Sequence, residues 1–171
     1  MRLSIWVGWL IRNNTKSMYR KGVSALILNK KNEVLLVNLN SFEEKYFAIP
    51  GGGLEPNETL EDAVYREIQE EIGILPDQLT FVGKSKDSLK FDFKTIKLSR
   101  DGIEYKGSEK FFFGFIFNDD LNNIKIPDGE VRRVVWSSIS DLGKYLLFDK
   151  QLDDTVDKIN EIFVFTENLQ E

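Results

Sequence analysis

The stretch that decides the fold covers residues 51–74 and reads GGGLEPNETLEDAVYREIQEEIGI. It opens with consecutive glycines directly after a proline, which predicts a tight turn. A helix is predicted from about Leu60 to Ile72, because Thr59 is a good N-cap and Asp62 can complete a capping-box-like exchange. Gly73 supplies a C-terminal position with positive φ, and the proline beyond it prevents the helix from continuing.

The predicted helix carries acidic side chains on its apolar side. At about 100° per residue, the apolar arc contains Leu60, Val64, Ile68 and Ile72. Glu67 and Glu71 project onto this arc, and Glu70 lies beside it. Buried carboxylates must be paired, hydrogen-bonded or bound to a metal, and Arg66 is the only cation within reach along the helix. A divalent cation is therefore expected here, and oxygen-only ligands favour Mg²⁺ or Mn²⁺.

Composition excludes several kinds of chemistry. The chain has 171 residues, is 42% hydrophobic and carries a net charge of −5, which suits one well-cored globular domain. It contains no Cys, hence no disulfide and no thiolate nucleophile, which is compatible with the cytoplasm. It contains no His, hence no Ser-His-Asp triad. The acidic balance argues against binding along a DNA duplex, although a small basic patch could hold a phosphate-bearing end.

Residues 1–17 are interpreted as an N-terminal extension of unknown role. Their apolar segment, Leu3 to Ile11, is too short to span a bilayer, and it lacks a small-residue cleavage site. We therefore expect no membrane association. The extension would be an extra strand packed on the domain, or a leader upstream of a natural start at Met18. Residues 18–171 are predicted to form a single domain.

The remaining chain alternates between short strands and helices. Strands are predicted at residues 23–28, 33–37, 46–49, 79–83, 89–98, 103–105, 110–117 and 131–136. The segment 110–117 is apolar on both faces, which predicts a central strand. Helices are predicted from about Ile139 and from Leu152 to Phe165. This order predicts an α+β fold, arranged as an α/β/α sandwich around a mixed β-sheet.

The segment from Gly52 to Ile74 resembles the Nudix box at every fixed position. Its pattern is Gly52, five residues, Glu58, seven residues, Arg66-Glu67-Ile68, one residue, Glu70-Glu71, one residue and Gly73-Ile74. The chain is thus identified as a member of the Nudix hydrolase family from roughly Tyr19 to Phe163. The resemblance implies the Nudix fold and hydrolysis of a nucleoside diphosphate linked to another moiety. A pyrophosphate is polyanionic, so divalent cations are needed to neutralise it and to activate a water.

The resemblance also implies roles for the residues of the box. The implied metal-binding and catalytic set is Glu67, Glu70, Glu71 and the carbonyl oxygen of Gly52. Within this set, Glu67 is either a ligand or the base that acts on the attacking water. Glu58 and Arg66 are expected to form a structural ion pair that holds the loop on the helix, and Gly73 ends the helix.

Three positions outside the box are further candidates. Glu130 precedes a predicted strand, where members acting on diadenosine polyphosphates and on the 5′ end of RNA often supply an additional catalytic carboxylate. The Tyr19–Val23 segment resembles the Tyr-Arg segment of bacterial RNA pyrophosphohydrolases, so Arg20 is expected to contact a phosphate. Tyr46 is an aromatic candidate for stacking on the base of the substrate.

The resemblance to that subgroup is partial. Gly51 stands where the subgroup usually has Gln, and residues 107–110 replace its Gln-rich segment. The first expectation is a dinucleoside polyphosphate or an RNA 5′ end as the substrate. The alternatives are a (d)NTP or 8-oxo-dGTP pyrophosphatase, an ADP-ribose pyrophosphatase, and a non-catalytic Nudix module that binds nucleotides.

Overall fold

The computed structural model describes residues 18–120 and 123–163. The elements in chain order are β1 (Met18–Leu28), β2 (Glu33–Leu39), α1 (Leu60–Ile72), β3 (Leu79–Lys84), β4 (Leu89–Leu98), β5 (Glu104–Phe117), β6 (Val131–Ser138) and α2 (Gln151–Phe163). Short 3-10 helices cover Pro76–Gln78 and Ile139–Lys144. The interpretations of residues 1–17 fall outside the described residues. Among the described helices, none is long and apolar enough to cross a membrane.

The strands form one mixed sheet in the order β3-β5-β1-β2-β6, and β4 pairs with the first half of β5. β1 and β5 run parallel over their whole length, whereas the other pairs are antiparallel. β5 therefore has a neighbour on each side, and its Phe113, Phe115 and Phe117 are at most 1% exposed. The prediction of a central phenylalanine-rich strand is confirmed.

Each face of the sheet buries its own apolar cluster, because the side chains of a strand point alternately to either side. On one face Val23, Ala25 and Ile27 of β1 pack against α1. On the other face Leu26 and Leu28 pack against α2. One helix thus covers each face, which confirms the predicted α/β/α sandwich.

The ends of α1 lie where the sequence predicts them. Thr59 Oγ1 accepts a hydrogen bond from Asp62 N at 3.1 Å and donates one to Asp62 Oδ2 at 2.7 Å. In a capping box the side chain of the third helical residue accepts a hydrogen bond from the backbone N–H of the cap residue. Here the Asp62 carboxylate accepts it from the Thr59 hydroxyl instead. Gly73 has φ of 68°, and its N–H donates to Gln69 O at 3.0 Å. A residue with a Cβ is disfavoured at this φ, which explains the glycine.

Three predicted elements are wrong in detail. The segment 46–49 is not a strand, because Asn38 Nδ2 donates to Tyr46 O at 2.7 Å and holds it in a loop, where only Ala48 pairs with Val37. The two strands predicted at 103–105 and 110–117 are one strand, since β1 and β4 both pair with the intervening residues. The helix predicted from Ile139 is a 3-10 helix.

Candidate active site

An open cleft of about 820 Å³ lies between α1, the glycine loop and the loop before β6. Its lining includes the candidates Arg20, Gly52, Arg66, Glu67, Glu70, Glu71 and Glu130, together with Asp128, which sequence reasoning missed. We call this region the acidic cleft. It brings together candidates that are more than a hundred residues apart in the chain.

The glycine loop runs beside β1 like an additional strand. Val23 N donates to Gly52 O at 2.9 Å, and Leu54 N donates to Lys21 O at 3.1 Å. The predicted ligand oxygen of Gly52 therefore already accepts a backbone hydrogen bond from β1. A Cβ at Gly52 would overlap the carboxylate of Glu67, so glycine is required for this close approach.

The three glutamates of the box differ in their exposure. Glu71 is buried at 8% exposure, and its Oε2 accepts a hydrogen bond from Gly51 N at 2.8 Å. The side chain of Glu67 is 14% exposed, whereas that of Glu70 is 60% exposed at the rim. The helix therefore directs two carboxylates inward and one towards solvent, as its apolar periodicity predicts.

Arg66 connects the loop to the glutamates. Its Nε and Nη2 donate to the two carboxylate oxygens of Glu58 at 2.7 and 2.9 Å, and Nη2 also donates to Gly53 O at 3.0 Å. Its Nη1 donates to Glu67 Oε1 at 2.9 Å and to Glu70 Oε2 at 3.2 Å. The bidentate pair lowers the pKa of Glu58, so this carboxylate stays ionised and keeps the loop against the helix.

Burial destabilises the charged forms of the two inner carboxylates, Glu67 and Glu71. The pKa of Glu71 is raised to about 7, chiefly by burial and in addition by the negative charges of Glu67 and Glu130, while the hydrogen bond from Gly51 N and the charge of Lys110 oppose the rise. Burial also raises the pKa of Glu67, although Arg66 opposes this effect. A proton or a bound cation beside these carboxylates would offset this destabilisation.

The donor chemistry of the acidic cleft fits Mg²⁺ or Mn²⁺. All its acidic donors are carboxylate oxygens, which are the ligands that these ions prefer. As the described side chains stand, no three acidic groups converge closely enough to hold an ion. The guanidinium of Arg66 instead contacts both Glu67 and Glu70, so a cation is already accommodated between these two carboxylates.

Of the three candidates outside the box, Arg20 and Glu130 line the acidic cleft and Tyr46 does not. Glu130 is exposed in the cleft wall, and its loop is anchored by a hydrogen bond from Asn40 N to Glu130 O at 2.7 Å. Arg20 lines the cleft and lies over Gly53, where a Cβ would overlap its guanidinium. Tyr46 does not line the acidic cleft, because its ring stacks on Phe148 at 4.7 Å between centroids.

A second cavity of about 380 Å³ lies on the α2 side of the sheet. Its lining combines aromatic rings with a few polar groups, among them Ser24, Phe42, Phe91, Phe93, Ser108, Lys110, Phe112 and Phe148. We call it the aromatic pocket. Lys110 forms no ion pair within the described residues, and burial lowers its pKa while Glu71 and Glu67 oppose this. Its signal in the sequence is a lysine that directly precedes three phenylalanines.

Comparison with known proteins finds a family model and a curated relative that both match most of the chain. The NUDIX domain model matches residues 18–159. The RNA pyrophosphohydrolase of Zymomonas mobilis subsp. mobilis is 34% identical over 121 residues, which cover 69% of this chain and 78% of that protein. Among solved structures, a C. elegans Ap4A hydrolase binary complex is similar with a TM-score of 0.65 and 18% identity, over 88% of this chain and 99% of that one.

A second solved structure, the E. coli dihydroneopterin triphosphate pyrophosphohydrolase, is similar with a TM-score of 0.62 and 16% identity, over 89% of this chain and 99% of that one. At such identities the two structures establish the shared fold alone. The match of the family model over most of the chain and the 34% identical relative establish the family. The resemblance of the box is thereby confirmed, and the chain belongs to the Nudix family of pyrophosphohydrolases.

Proposed function

We propose that this protein hydrolyses a phosphoanhydride bond in a nucleotide substrate, with Mg²⁺ or Mn²⁺ held by Glu70 and Glu71 and with Glu67 as the base that acts on the attacking water. The observation that carries the proposal is the pair of inward carboxylates on α1, because burial raises the pKa of both. Bound there, the ion would neutralise the polyphosphate and activate a water.

The residues of the cleft have separate tasks in this reaction. The oxygen of a water attacks phosphorus as the bond from phosphorus to the leaving phosphate oxygen breaks. Glu67 Oε2 takes the proton of that water, because Oε1 accepts the hydrogen bond from Arg66 Nη1. Glu71 is held in place by Gly51 N, and Glu130 adds a further carboxylate at the opposite wall.

The substrate is a dinucleoside polyphosphate or the 5′ end of an RNA in this proposal. The names of the similar proteins, an RNA pyrophosphohydrolase and an Ap4A hydrolase, support this substrate class. The aromatic pocket has the size and the lining that a nucleobase needs. Lys110 lies in its wall and is electrostatically coupled to Glu67 and Glu71, so a phosphate beside Lys110 would reach from one cavity towards the other.

The proposal is tested by measuring hydrolysis with Mg²⁺ and with Mn²⁺. The substrates are diadenosine tetraphosphate, triphosphorylated RNA, 8-oxo-dGTP and ADP-ribose. Glu67→Gln should abolish metal-dependent turnover, whereas Glu61→Gln should not, because Glu61 lies on the same helix and pairs with Lys84 outside the cleft. Turnover by Glu67→Gln at the wild-type rate would contradict the proposal. If the wild type hydrolyses none of the four, the non-catalytic module is favoured.

A further inference from the structure

The start of β1 carries an aromatic ring surrounded by lysines. The ring of Tyr19 has Lys106 Nζ at 4.8 Å and Lys90 Nζ at 5.2 Å from its centroid. Lys21 lies on the same face of the sheet, since it pairs with Glu109 two positions along the register from Tyr19. We call Tyr19, Lys21, Lys90 and Lys106 the Tyr19 platform.

The ring of the platform is held in a fixed orientation. Tyr19 OH donates to Asp92 Oδ1 at 2.7 Å across the intervening strand β5. Gly107 lies directly beneath the ring, and a Cβ there would stand 2.7 Å from Tyr19 Cε1. A rigid aromatic ring that needs no ordering on binding is a suitable surface for stacking a nucleobase.

The cations of the platform have no ion-pair partner among the described residues, although Lys90 and Lys106 contact the Tyr19 ring. Within residues 18–120 and 123–163, none of Lys21, Lys90 and Lys106 forms an ion pair with a carboxylate. The chain as a whole has a net charge of −5, so three exposed lysines in one place stand out, although Asp92 and Glu109 lie beside them. Exposed cations next to an aromatic ring are the combination that single-stranded nucleic acids bind, by ion pairing to phosphates and by stacking of bases.

The platform is continuous with the acidic cleft. Arg20, the residue after Tyr19, lines that cleft. Val23, four residues after Tyr19, is hydrogen-bonded to Gly52 at the floor of the cleft. At a rise of about 3.3 Å per residue, the ring lies roughly 13 Å from this floor along β1, a distance that a few linked nucleotides span.

Resting on the proposed function, we infer that the Tyr19 platform binds the body of a single-stranded RNA whose 5′ phosphates lie in the acidic cleft. The cations contact backbone phosphates beyond the first nucleotide, and Tyr19 stacks on a base. A dinucleoside polyphosphate has no backbone phosphate beyond its second nucleoside, so RNA matches this cluster of cations better. The platform thus distinguishes a long RNA from a small nucleotide with the same reactive end.

The platform is tested by the binding of a 3′-labelled RNA of about eight nucleotides with a 5′-monophosphate, followed by fluorescence anisotropy without divalent metal. Lys90→Gln/Lys106→Gln should weaken binding about tenfold and lower the slope of log K against log salt by about 1.4, since each phosphate contact contributes about 0.7. The matched control is Lys30→Gln/Lys31→Gln in the turn after β1, which should bind as the wild type does.

A second pair of variants tests the stacking. Tyr19→Ala should weaken RNA binding about tenfold or more, whereas Tyr19→Phe keeps the ring and should bind nearly as the wild type does. Thermal denaturation of both variants checks that the strand remains folded. If Tyr19→Ala binds RNA as well as the wild type does, the stacking role is overturned. If the Lys90→Gln/Lys106→Gln variant binds RNA as well as its control does, the platform itself is overturned. A poly-glutamate peptide is a further competitor of the labelled RNA. If it displaces the labelled RNA as effectively as unlabelled RNA does, the platform is a site for acidic peptides, and the inference is overturned.

Hydrolysis separates this inference from the proposed function. Lys90→Gln/Lys106→Gln should hydrolyse diadenosine tetraphosphate as the wild type does and should lose the preference for long triphosphorylated RNA over a nucleoside triphosphate. If the wild type hydrolyses no substrate but the platform variants still lose RNA binding, the proposed function fails and the platform stands. If hydrolysis is normal and independent of RNA length, the platform fails and the proposed function stands.

Discussion

Replacing Glu71 by glutamine should stabilise the metal-free protein above neutral pH. Burial raises the pKa of this carboxyl from 4.5 to about 7, with contributions from Glu67 and Glu130. Lys110 on β5 and Gly51 N oppose the rise. Because the pKa is higher in the folded state, folding favours the protonated form. That contribution is complete below a pH of about 4.5 and is lost as the pH rises through about 7.

The magnitude follows from the two pKa values. The difference between 4.5 and about 7, at about 1.4 kcal/mol for each pH unit, makes the ionised Glu71 cost the folded state about 3 kcal/mol at pH 8. Glutamine has nearly the same shape and carries no charge. Its amide oxygen can also accept the hydrogen bond from Gly51 N. The variant should therefore avoid this cost without leaving a cavity and without leaving Gly51 N unpaired.

The measurement is urea denaturation of the wild type and of Glu71→Gln in the presence of EDTA. The two free energies of unfolding should agree within about 1 kcal/mol near pH 5 and differ by about 3 kcal/mol near pH 8, with the variant more stable. Addition of Mg²⁺ at pH 8 should stabilise the wild type in a concentration-dependent manner and stabilise the variant much less. A difference between the two proteins that does not change with pH would refute the reasoning, because it would show that Glu71 titrates normally.

The other predictions concern the support of the acidic cleft. Arg66→Met should lower the free energy of unfolding by about 2 kcal/mol, because it leaves the half-buried Glu58 without its bidentate partner. An unchanged midpoint in urea denaturation would contradict this. Gly52→Ala should lower kcat about a hundredfold, because the added Cβ displaces the carboxylate of Glu67. Thermal stability should change little, since only the flexible end of that side chain has to move. A normal kcat would show that Glu67 does not need its close approach to Gly52. Gly73→Ala should cost at least about 1–2 kcal/mol in the same denaturation assay, because its φ is 68° and an added Cβ would also overlap the backbone carbonyl oxygen of Lys125. No loss would show that the helix end adapts.

The sequence predicts α1 and its acidic face well, because both depend on local spacing. The cap at Thr59, the glycine at position 73 and the apolar period all lie within one continuous stretch. The burial of Glu71 also follows from this period, since a residue on the apolar arc has to face the sheet. The central position of β5 can be predicted for a similar reason, as its phenylalanines are apolar on both faces.

Features that depend on distant contacts could not be predicted in the same way. The segment 46–49 has the composition of a strand, yet side-chain hydrogen bonds from Asn38 to the backbone prevent it from pairing along its length. Residues 106–109 look like a polar connection between two strands, but pairing with the neighbouring strands makes them part of β5. The stacking of Tyr46 on Phe148 joins positions about a hundred residues apart, which no local pattern shows.

The electrostatics of Lys110 and of the inner glutamates bear on the proposed binding of metal and substrate. Burial raises the pKa of Glu67 and Glu71 and lowers that of Lys110, so charges of both signs are poorly compensated within one region. The cation and the carboxylates attract one another, but no direct ion pair joins them among the described residues. In the proposed function, a divalent ion would pair with the carboxylates, and a phosphate would pair with Lys110 and Arg20. A polyphosphate that carries its own divalent ion would supply both partners at once.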